Sequence, residues 1–314
     1  MLTFDELLLK LPSTVVHQME TTYQSPLHHA EGSVLEHSRL VSTYAPKEIE
    51  FLLASVFHDM GKIATTRVVE EKGKLKISSI GHEDLAVGFI NFYKDKFADL
   101  NVNWEKVSQM CQYHMRGHLY LNGKLKKPSK RESFENLKYF TDILVFSKAD
   151  SDGRRETDGP SFLLITVGIP GSGKTTWRRN FCVRTGFSCI SPDELREEFT
   201  GSISDISRDA EVWKEAYSRL TTLLSSKQNV VFDATNINPK SRKQLVSMGE
   251  QYKAIVVYKI FSVGKEVAKE RIAKDLAKGV NRSNVPTYIV DKMYDKFDFT
   301  LREISQEYGL VLQN

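Results

Sequence analysis

Eight residues in mid-chain, Gly168-Ile-Pro-Gly-Ser-Gly-Lys-Thr175, fit the spacing G-x-x-x-x-G-K-[ST]. The glycines let backbone N–H groups turn inward around phosphate oxygens. Lys174 can reach the β- and γ-phosphates, Thr175 can ligate Mg²⁺, and a following helix adds its positive end. A glycine-rich turn with no ligand is the competing reading. The apolar run before the motif and the helical pattern after it argue against that. Gly168, Gly171, Ser172, Gly173, Lys174, Thr175 and Thr176 are therefore candidate contacts to ATP, or another nucleoside triphosphate, and its Mg²⁺.

Other chemistry follows the loop. Ser191-Pro-Asp-Glu-Leu-Arg196 opens a helix, where Asp193 either steadies the helix start or accepts a hydroxyl proton beside the γ-phosphate. Arg196 lies three residues on, on the same face. A carboxylate base beside a phosphate-binding cation suits phosphoryl transfer to an alcohol. Asp233 ends an apolar run and either supports this site or caps the helix that Pro239 begins. Arg271, Lys274, Lys278 and Arg282 form a late basic segment that can close over a triphosphate or simply face water.

A different set of residues precedes the loop. All eight histidines lie there, the last being His118. His37, His58-Asp59, His82, His114 and His118 follow one another, and Asp150 closes the stretch. A lone histidine on an apolar helix is more often a satisfied core residue than a ligand. Several imidazoles converging with carboxylates instead suit Mn, Fe, Co, Ni or Zn with positions open to water. Such a metal can bind a phosphoryl oxygen and lower the pKa of an attacking water.

These groups must be positioned by two kinds of architecture. Residues 1 to about 150 read as helical, with apolar residues at helical spacing in Glu48–Phe57, His82–Phe97 and Phe134–Ala149; Leu75–Ser78 is the one strand candidate. Asp150–Pro160 is a polar, turn-rich linker. Beyond it, apolar runs at Phe162–Val167, Asn229–Phe232 and Ala254–Phe261 read as buried parallel strands. Helices are expected between them at Lys174–Val183, Asp193–Phe199, Asp209–Ser226, Pro239–Gln251 and Lys265–Lys278. The fold class expected is thus two domains: an all-α domain over 1–152 and an α/β domain with a parallel sheet over 160–314.

The 314 residues suffice for two cores. Three scattered cysteines, Cys111, Cys182 and Cys189, suit neither a disulfide framework nor a thiolate metal site. No segment has the apolar length of a membrane span, and Met1–Pro12 reads as a short amphipathic helix rather than a secretory leader. A cytoplasmic setting without membrane contact is the expectation. Residues 1–150 hold 19 of the 44 basic and 19 of the 40 acidic side chains, so the net charge of +4 arises in the later half. It permits a nucleic-acid partner without demanding one. Lys124–Arg131 is a basic loop, either a solvated connection or a contact to a phosphate backbone.

Over residues 160–300, GIPGSGKTTW, SPDELR, FDATNINPKSR and a basic lid followed by Val-Pro resemble the kinase domain of phage-type 5′-hydroxyl polynucleotide kinases. The resemblance implies that Lys174 and Thr175 bind ATP and Mg²⁺ and that Asp193 is the general base. It makes Arg196 the contact to the substrate's phosphate backbone, with Asp233 supporting the acceptor site. The family's lid uses arginines where this chain has Lys274 and Lys278, which lack the bidentate fork, so Arg282 is an alternative. Gly32-Ser-Val-Leu-Glu-His37, His58-Asp-Met-Gly-Lys62, Gly81-His-Glu83 and Tyr113-His-Met115 resemble the HD phosphohydrolase superfamily. That implies His37, His58, Asp59 and Asp150 as core ligands of a transition metal (Mn²⁺, Ni²⁺, Co²⁺ or Zn²⁺), with Asp142 or Asp152 as alternatives to Asp150. His82 and His114 would hold a second metal or the phosphate, and Lys62 would meet the substrate phosphate. His17, His28, His29 and His118 carry no assignment, though His28 or His118 could line the pocket.

Along almost the full chain, the order of the two halves resembles the bifunctional HD-Pnk enzymes of RNA repair. The implied activities are phosphorylation of 5′-hydroxyl ends and metal-dependent opening and removal of 2′,3′-cyclic phosphate and 2′-phosphate ends. The implied partners are nucleic acid, RNA above all, and a separate ligase, since no Lys-x-Asp-Gly motif is present; Lys148-Ala-Asp-Ser151 comes nearest. A small-molecule kinase fused to an HD nucleotidase is the alternative.

Overall fold

The computed structural model describes residues 2–24, 29, 32–154, 160–304 and 310–312. His28 and residues 155–159 of the expected linker lie outside them. Contacts divide the chain into two compact units, Met1–Arg67 with Ile77–Gly159, and Val68–Lys76 with Pro160–Asn314.

The first unit is helical. Its helices are α1 (Phe4–Leu8), α2 (Ser13–Thr21), α3 (Val34–Tyr44), α4 (Ile49–Phe57), α5 (Lys62–Thr65), α6 (His82–Tyr93), α7 (Trp104–Leu121), α8 (Pro128–Glu135) and α9 (Phe140–Asp152). A 3₁₀ turn at Lys94–Phe97 ends the apolar pattern that begins at His82. The periodic stretch Phe134–Ala149 is two helices rather than one. The break after α8 lets Phe134 and Phe140 meet edge-on at 5.3 Å and both pack on Tyr120. Lys124–Arg131 is a loop only in part, because Pro128 opens α8.

α4 is buried along most of its length and forms the centre of this core. α7 and α9 cross where Gly117 stands. A Cβ there would lie 2.0 Å from Ser147 Oγ. That hydroxyl donates to the Ile143 carbonyl at 2.7 Å and the His114 carbonyl at 3.0 Å. The absent side chain thus sets the distance between the helices that carry His114, His118 and Asp150.

Leu75–Ser78 does lie in a strand, but with a partner the hydrophobic pattern does not reveal. β1 (Arg67–Glu71) and β2 (Lys74–Ser78) form a two-stranded sheet. Lys72 and Gly73 between them both have positive φ, as a two-residue turn of the primed type requires. Val68–Lys76 belongs to the second unit, where Glu70 pairs with Arg184 at 2.9 Å and Val68 bridges Leu312.

The second unit is a five-stranded parallel sheet. Its strands are β3 (Phe162–Val167), β4 (Ser188–Ile190), β5 (Val230–Phe232), β6 (Ile255–Ile260) and β7 (Leu310–Val311), in the order β4-β5-β3-β6-β7. β3 is central, with Ile165 opposite Phe232 on one side and Tyr258 on the other. The helices are α10 (Lys174–Thr185), α11 (Pro192–Thr200), α12 (Asp209–Ser225), α13 (Pro239–Gln251), α14 (Lys265–Ala277) and α15 (Thr287–Ile304). The chain leaves β3 in one direction through α10 and returns in the other through α11 and α12. Right-handed crossovers therefore put these helices on opposite faces. Strand β4 and helix α15 are elements that the expected layout does not include. β4 is only three residues long, whereas α15 buries Val290, Phe297, Thr300 and Ile304 along one face and was passed over despite that helical spacing.

Gly117→Ala should lower the urea stability of the first unit by about 1–3 kcal/mol, the usual cost of forcing a methyl group into a filled contact. Far-UV circular dichroism through a urea titration checks this. Unchanged stability would mean that the helices can part freely.

Candidate functional site

In the first unit the chemistry gathers around Asp59, which follows the buried helix α4 and is 1% exposed. Lys62 Nζ donates to Asp59 Oδ2 at 2.7 Å and also to Gln24. His82 enters from α6 because Gly61 permits it. A Cβ on Gly61 would lie 1.9 Å from the His82 carbonyl oxygen. His37 comes from α3 and His114 from α7, and His37 Nε2 lies 2.8 Å from Asp150 Oδ1 and 3.7 Å from Asp59 Oδ2.

The protons of three imidazoles are fixed by backbone carbonyls. His58 Nδ1 donates to Ser55 O at 3.1 Å, His82 Nδ1 to Ser79 O at 2.7 Å, and His114 Nδ1 to Cys111 O at 2.6 Å. A neutral imidazole with its proton on Nδ1 presents a lone pair at Nε2. Those lone pairs converge on more acceptors. His58 Nε2 is 3.4 Å from Asp59 Oδ2, and His82 Nε2 is 3.3 Å from both Asp59 Oδ1 and His114 Nε2. His58 Nε2 and Asp59 Oδ1 are buried without a hydrogen-bond donor. Burial keeps the His114 pKa well below the ordinary value; at His82 burial is outweighed by Asp59, which raises the pKa, but one further proton there does not satisfy every acceptor.

A cation would. His37, His58 and Asp59 bring ligand atoms within 4.8 Å of one another, as do Asp59, His82 and His114. Asp59 belongs to both groups. The donor set of neutral imidazoles and carboxylates, with Nδ1 held by second partners, fits a divalent transition metal. Burial works to raise the Asp59 pKa, but the Lys62 ammonium beside it holds the carboxyl well below its usual range. Asp150 behaves alike: burial opposes ionisation, and Arg154, His118 and His37 override it. Both carboxylates are thus charged at neutral pH.

Of the three aspartates considered at the end of this half, Asp150 is brought into the cluster. Asp142 pairs with Lys106 at 2.7 Å and Asp152 with Lys148 at 2.9 Å, both away from it. His118, unassigned by sequence, binds Asp150 Oδ2 through Nε2 and meets Ser151 at Nδ1. Arg154 Nη2 reaches Asp150 Oδ2 at 3.0 Å and His118 Nε2 at 2.9 Å. The signals for these two were their spacings: His118 is one helical turn after His114, and Arg154 is one turn after Asp150. His29 stacks edge-on against His37 at 4.4 Å, whereas His17 lies outside the cluster near Glu20.

In the second unit the loop Gly168–Thr175 joins β3 to α10. Gly171 and Gly173 have φ of +79° and +98°. A Cβ on Gly171 would also strike the Ala268 carbonyl at 2.5 Å. Lys174 donates to the carbonyls of Gly168 and Ile169, both at 2.8 Å, and reaches Ser172 Oγ at 3.4 Å. Thr175 and Thr176 stand exposed in the first turn of α10. Burial lowers the Lys174 ammonium to about 8, while Asp233 and Asp193 act to raise it and Arg282 to lower it. All three side chains therefore lie within electrostatic reach of the loop lysine.

Asp193 does not cap α11. Ser191 Oγ accepts from Glu194 N at 3.5 Å, which leaves the Asp193 carboxylate for Arg196. Arg196 also donates to Asp209 at 2.7 Å. Asp233 likewise caps nothing, since Asn238 accepts from Lys240 N at 2.9 Å to start α13. Instead Asp233 takes a bond from Thr166 Oγ1 at 3.0 Å and faces Arg178 at 3.1 Å. Arg178, which sequence reasoning passed over, forks onto Glu194 at 2.6 and 2.8 Å and so ties α10 to α11. Of the late cations, Arg271 touches the Gly171 carbonyl at 3.4 Å, and Arg282 pairs with Asp275 at 2.7 Å. Lys274 and Lys278 are exposed at the end of α14, and among the described residues no hydrogen bond joins either to the loop.

Residues 163–300 match the family model described as an AAA domain. Among solved structures, the chain is similar to one in the Pnkp1/Rnl/Hen1 RNA repair complex, at 27% identity and a TM-score of 0.42 over 47% of each chain. A second structure of a Pnkp1/Rnl/Hen1 complex matches at 31% identity and a TM-score of 0.34, over 37% of this chain and 40% of that one. A shikimate kinase from Acinetobacter baumannii, in complex with shikimate, is 19% identical with a TM-score of 0.34, over 49% of this chain and 83% of that one. The present chain thus spans less than half the length of the first two.

Two outcomes are expected. Saturating Mn²⁺ should raise the unfolding temperature of the parent protein, by a stabilisation of about 2.7 kcal/mol at a concentration 100-fold above its Kd, and leave Asp59→Ala unmoved. An equal shift in both would place the ion elsewhere. ATP affinity should fall as pH rises through 8. The free-protein pKa of Lys174 is depressed, so its charge is present below about 8 and lost above it. Calorimetric titration should therefore find a weakening of roughly tenfold per pH unit above that point, and equal affinity at pH 7 and 9.5 would contradict it.

Proposed function

We propose that this chain is a two-activity enzyme that heals the ends of broken RNA, with a polynucleotide 5′-hydroxyl kinase in the second unit and an HD-type phosphohydrolase in the first. The observation that carries the proposal is the cluster of imidazole and carboxylate acceptors around Asp59, in the same chain as a phosphate loop flanked by Asp193 and Asp233.

In the kinase half the residues around the loop divide the work. Backbone N–H groups of the loop and the α10 N-terminus hold the triphosphate, and Lys174 leaves its carbonyl partners for the β- and γ-phosphates. Thr175 offers a hydroxyl to the Mg²⁺ that accompanies ATP. Asp193 accepts the proton of the 5′-hydroxyl as its oxygen bonds to the γ-phosphorus and the bond to the β-phosphate oxygen breaks. Arg196 orients Asp193, and its remaining donors suit a phosphodiester next to the reacting hydroxyl. Asp233 supports the acceptor site through Arg178, which spans Asp233 and Glu194. Arg271, which touches the loop at Gly171, and Arg282, whose charge acts on Lys174, are better placed as lid cations than Lys274 or Lys278.

In the hydrolase half, His37, His58, Asp59 and Asp150 would hold a divalent transition metal, with His82 and His114 able to hold a second or to meet the phosphate. When bound, such an ion supplies Lewis-acid polarisation of a phosphoryl oxygen and a water of lowered pKa. Lys62 and Arg154 sit on the two carboxylates and can turn to phosphoryl oxygens as substrate enters. His118 donates from Nε2 to the ionised Asp150 carboxylate and meets Ser151 at Nδ1, so the ring is held in one orientation. The resemblance to HD-Pnk enzymes supplies the substrate of this reading, a 2′,3′-cyclic phosphate that is opened and then removed as a 2′-phosphate; the donor set is compatible with it. Sealing the healed ends falls to a separate ligase.

The two activities should separate cleanly. With γ-labelled ATP, Mg²⁺ and a 5′-hydroxyl oligoribonucleotide, Asp193→Asn should transfer label about 10²–10⁴-fold more slowly than the parent, and Asp59→Ala should match the parent. With Mn²⁺ and an RNA ending in a 2′,3′-cyclic phosphate, the ranking should reverse. Transfer to free nucleosides in preference to oligonucleotides would replace the kinase assignment with a small-molecule one.

A further inference from the structure

We propose that the cavity beside Asp59 is a subsite for a single nucleoside bearing a phosphoryl group, with the base held against Ile80 and Met115. The proposal rests on the hydrolase reading for its phosphoryl end and adds the base end. The cavity measures about 360 Å³, near the lower limit of roughly 300–1,000 Å³ for small-molecule sites. It has room for one terminal nucleotide.

Its lining has two characters. Lys62, Arg154, His82 and His114 supply cations and ligand atoms, and Ile80 and Met115 supply apolar surface. Ile80 is 81% exposed and Met115 39% exposed. Exposed apolar side chains gathered in one concavity mark a binding surface more often than isolated ones do. Their positions in the chain tie them to the chemistry. Ile80 stands two residues before His82, across Gly81 with its left-handed φ of +79°, and Met115 directly follows His114. The segments that aim the two imidazoles therefore also set the two apolar contacts.

An apolar pair beside a phosphoryl-type site fits a ligand with an anionic end and a flat apolar end. A nucleotide has both. Neither side chain donates a hydrogen bond to a base edge, so these two contacts grip the base by its faces, which every base possesses. The methionine sulfur adds a favourable contact to an aromatic ring. This apolar pair is thus predicted to demand a base without reading which one.

The test is calorimetric binding of adenosine 2′-monophosphate, uridine 2′-monophosphate and inorganic phosphate to the full chain with Mn²⁺. Ile80→Ala combined with Met115→Ala should weaken both nucleotides by about tenfold, the scale expected for partly buried apolar side chains, and leave phosphate affinity unchanged. Ile80→Trp, which adds a stacking face at an exposed position, should tighten both nucleotides. Nucleotide affinity indifferent to these changes, or phosphate affinity falling in parallel, overturns the subsite. Failure of the parent to bind any of the three ligands overturns the hydrolase reading and the subsite together.

Discussion

The first unit is organised by one electrostatic problem: a buried carboxylate surrounded by lone pairs. Asp59 is 1% exposed and faces Nε2 atoms of several imidazoles. Three of those rings have spent their protons on backbone carbonyls. Acceptors packed together in a medium of low polarity repel unless a positive charge lies among them. Lys62 and Arg154 meet part of that need from the side, each bonded to one carboxylate. The helices around the cluster carry the cost of holding it together. The absence of a side chain at Gly61 and Gly117 is what lets α6 reach Asp59 and α7 reach α9.

The second unit meets a related problem with the sign reversed. Lys174 is a buried cation whose partners are the carbonyls of its own loop. Those bonds keep the ammonium in place but leave it poorly solvated, which is why its pKa falls. A triphosphate offers it stronger partners. Around it, Arg178 fixes two acidic side chains on different elements, so that Asp233 and Glu194 share one rigid anchor.

Much of this was legible in the sequence. The loop motif, the strand before it and α10 after it are local features, and the apolar run Phe162–Val167 carries the strand completely. His58-Asp59 and Lys62 stand in one short segment whose turn brings them together. What required the fold was convergence across distance. Nothing in the spacing separates Asp150 from Asp142 and Asp152; helix phase and packing against α3 and α7 select it. His118 and Arg154 are each one turn beyond a noted residue, and their role depends on which face of α7 and α9 is turned inward. The strand before Leu75–Ser78 was missed because Arg67–Glu71 is largely polar and exposed. Its grouping with the second unit is a long-range pairing that no local pattern encodes.

The most direct measurement is anomalous diffraction from crystals of the full chain soaked in Mn²⁺ or Zn²⁺. The account predicts a peak within coordination distance of Asp59 and the Nε2 atoms of His58, His82 or His114, with Nδ1 of each ring still on its backbone carbonyl. A site that stays free of anomalous signal at saturating metal, with the imidazoles turned to donate to Asp59, would contradict it.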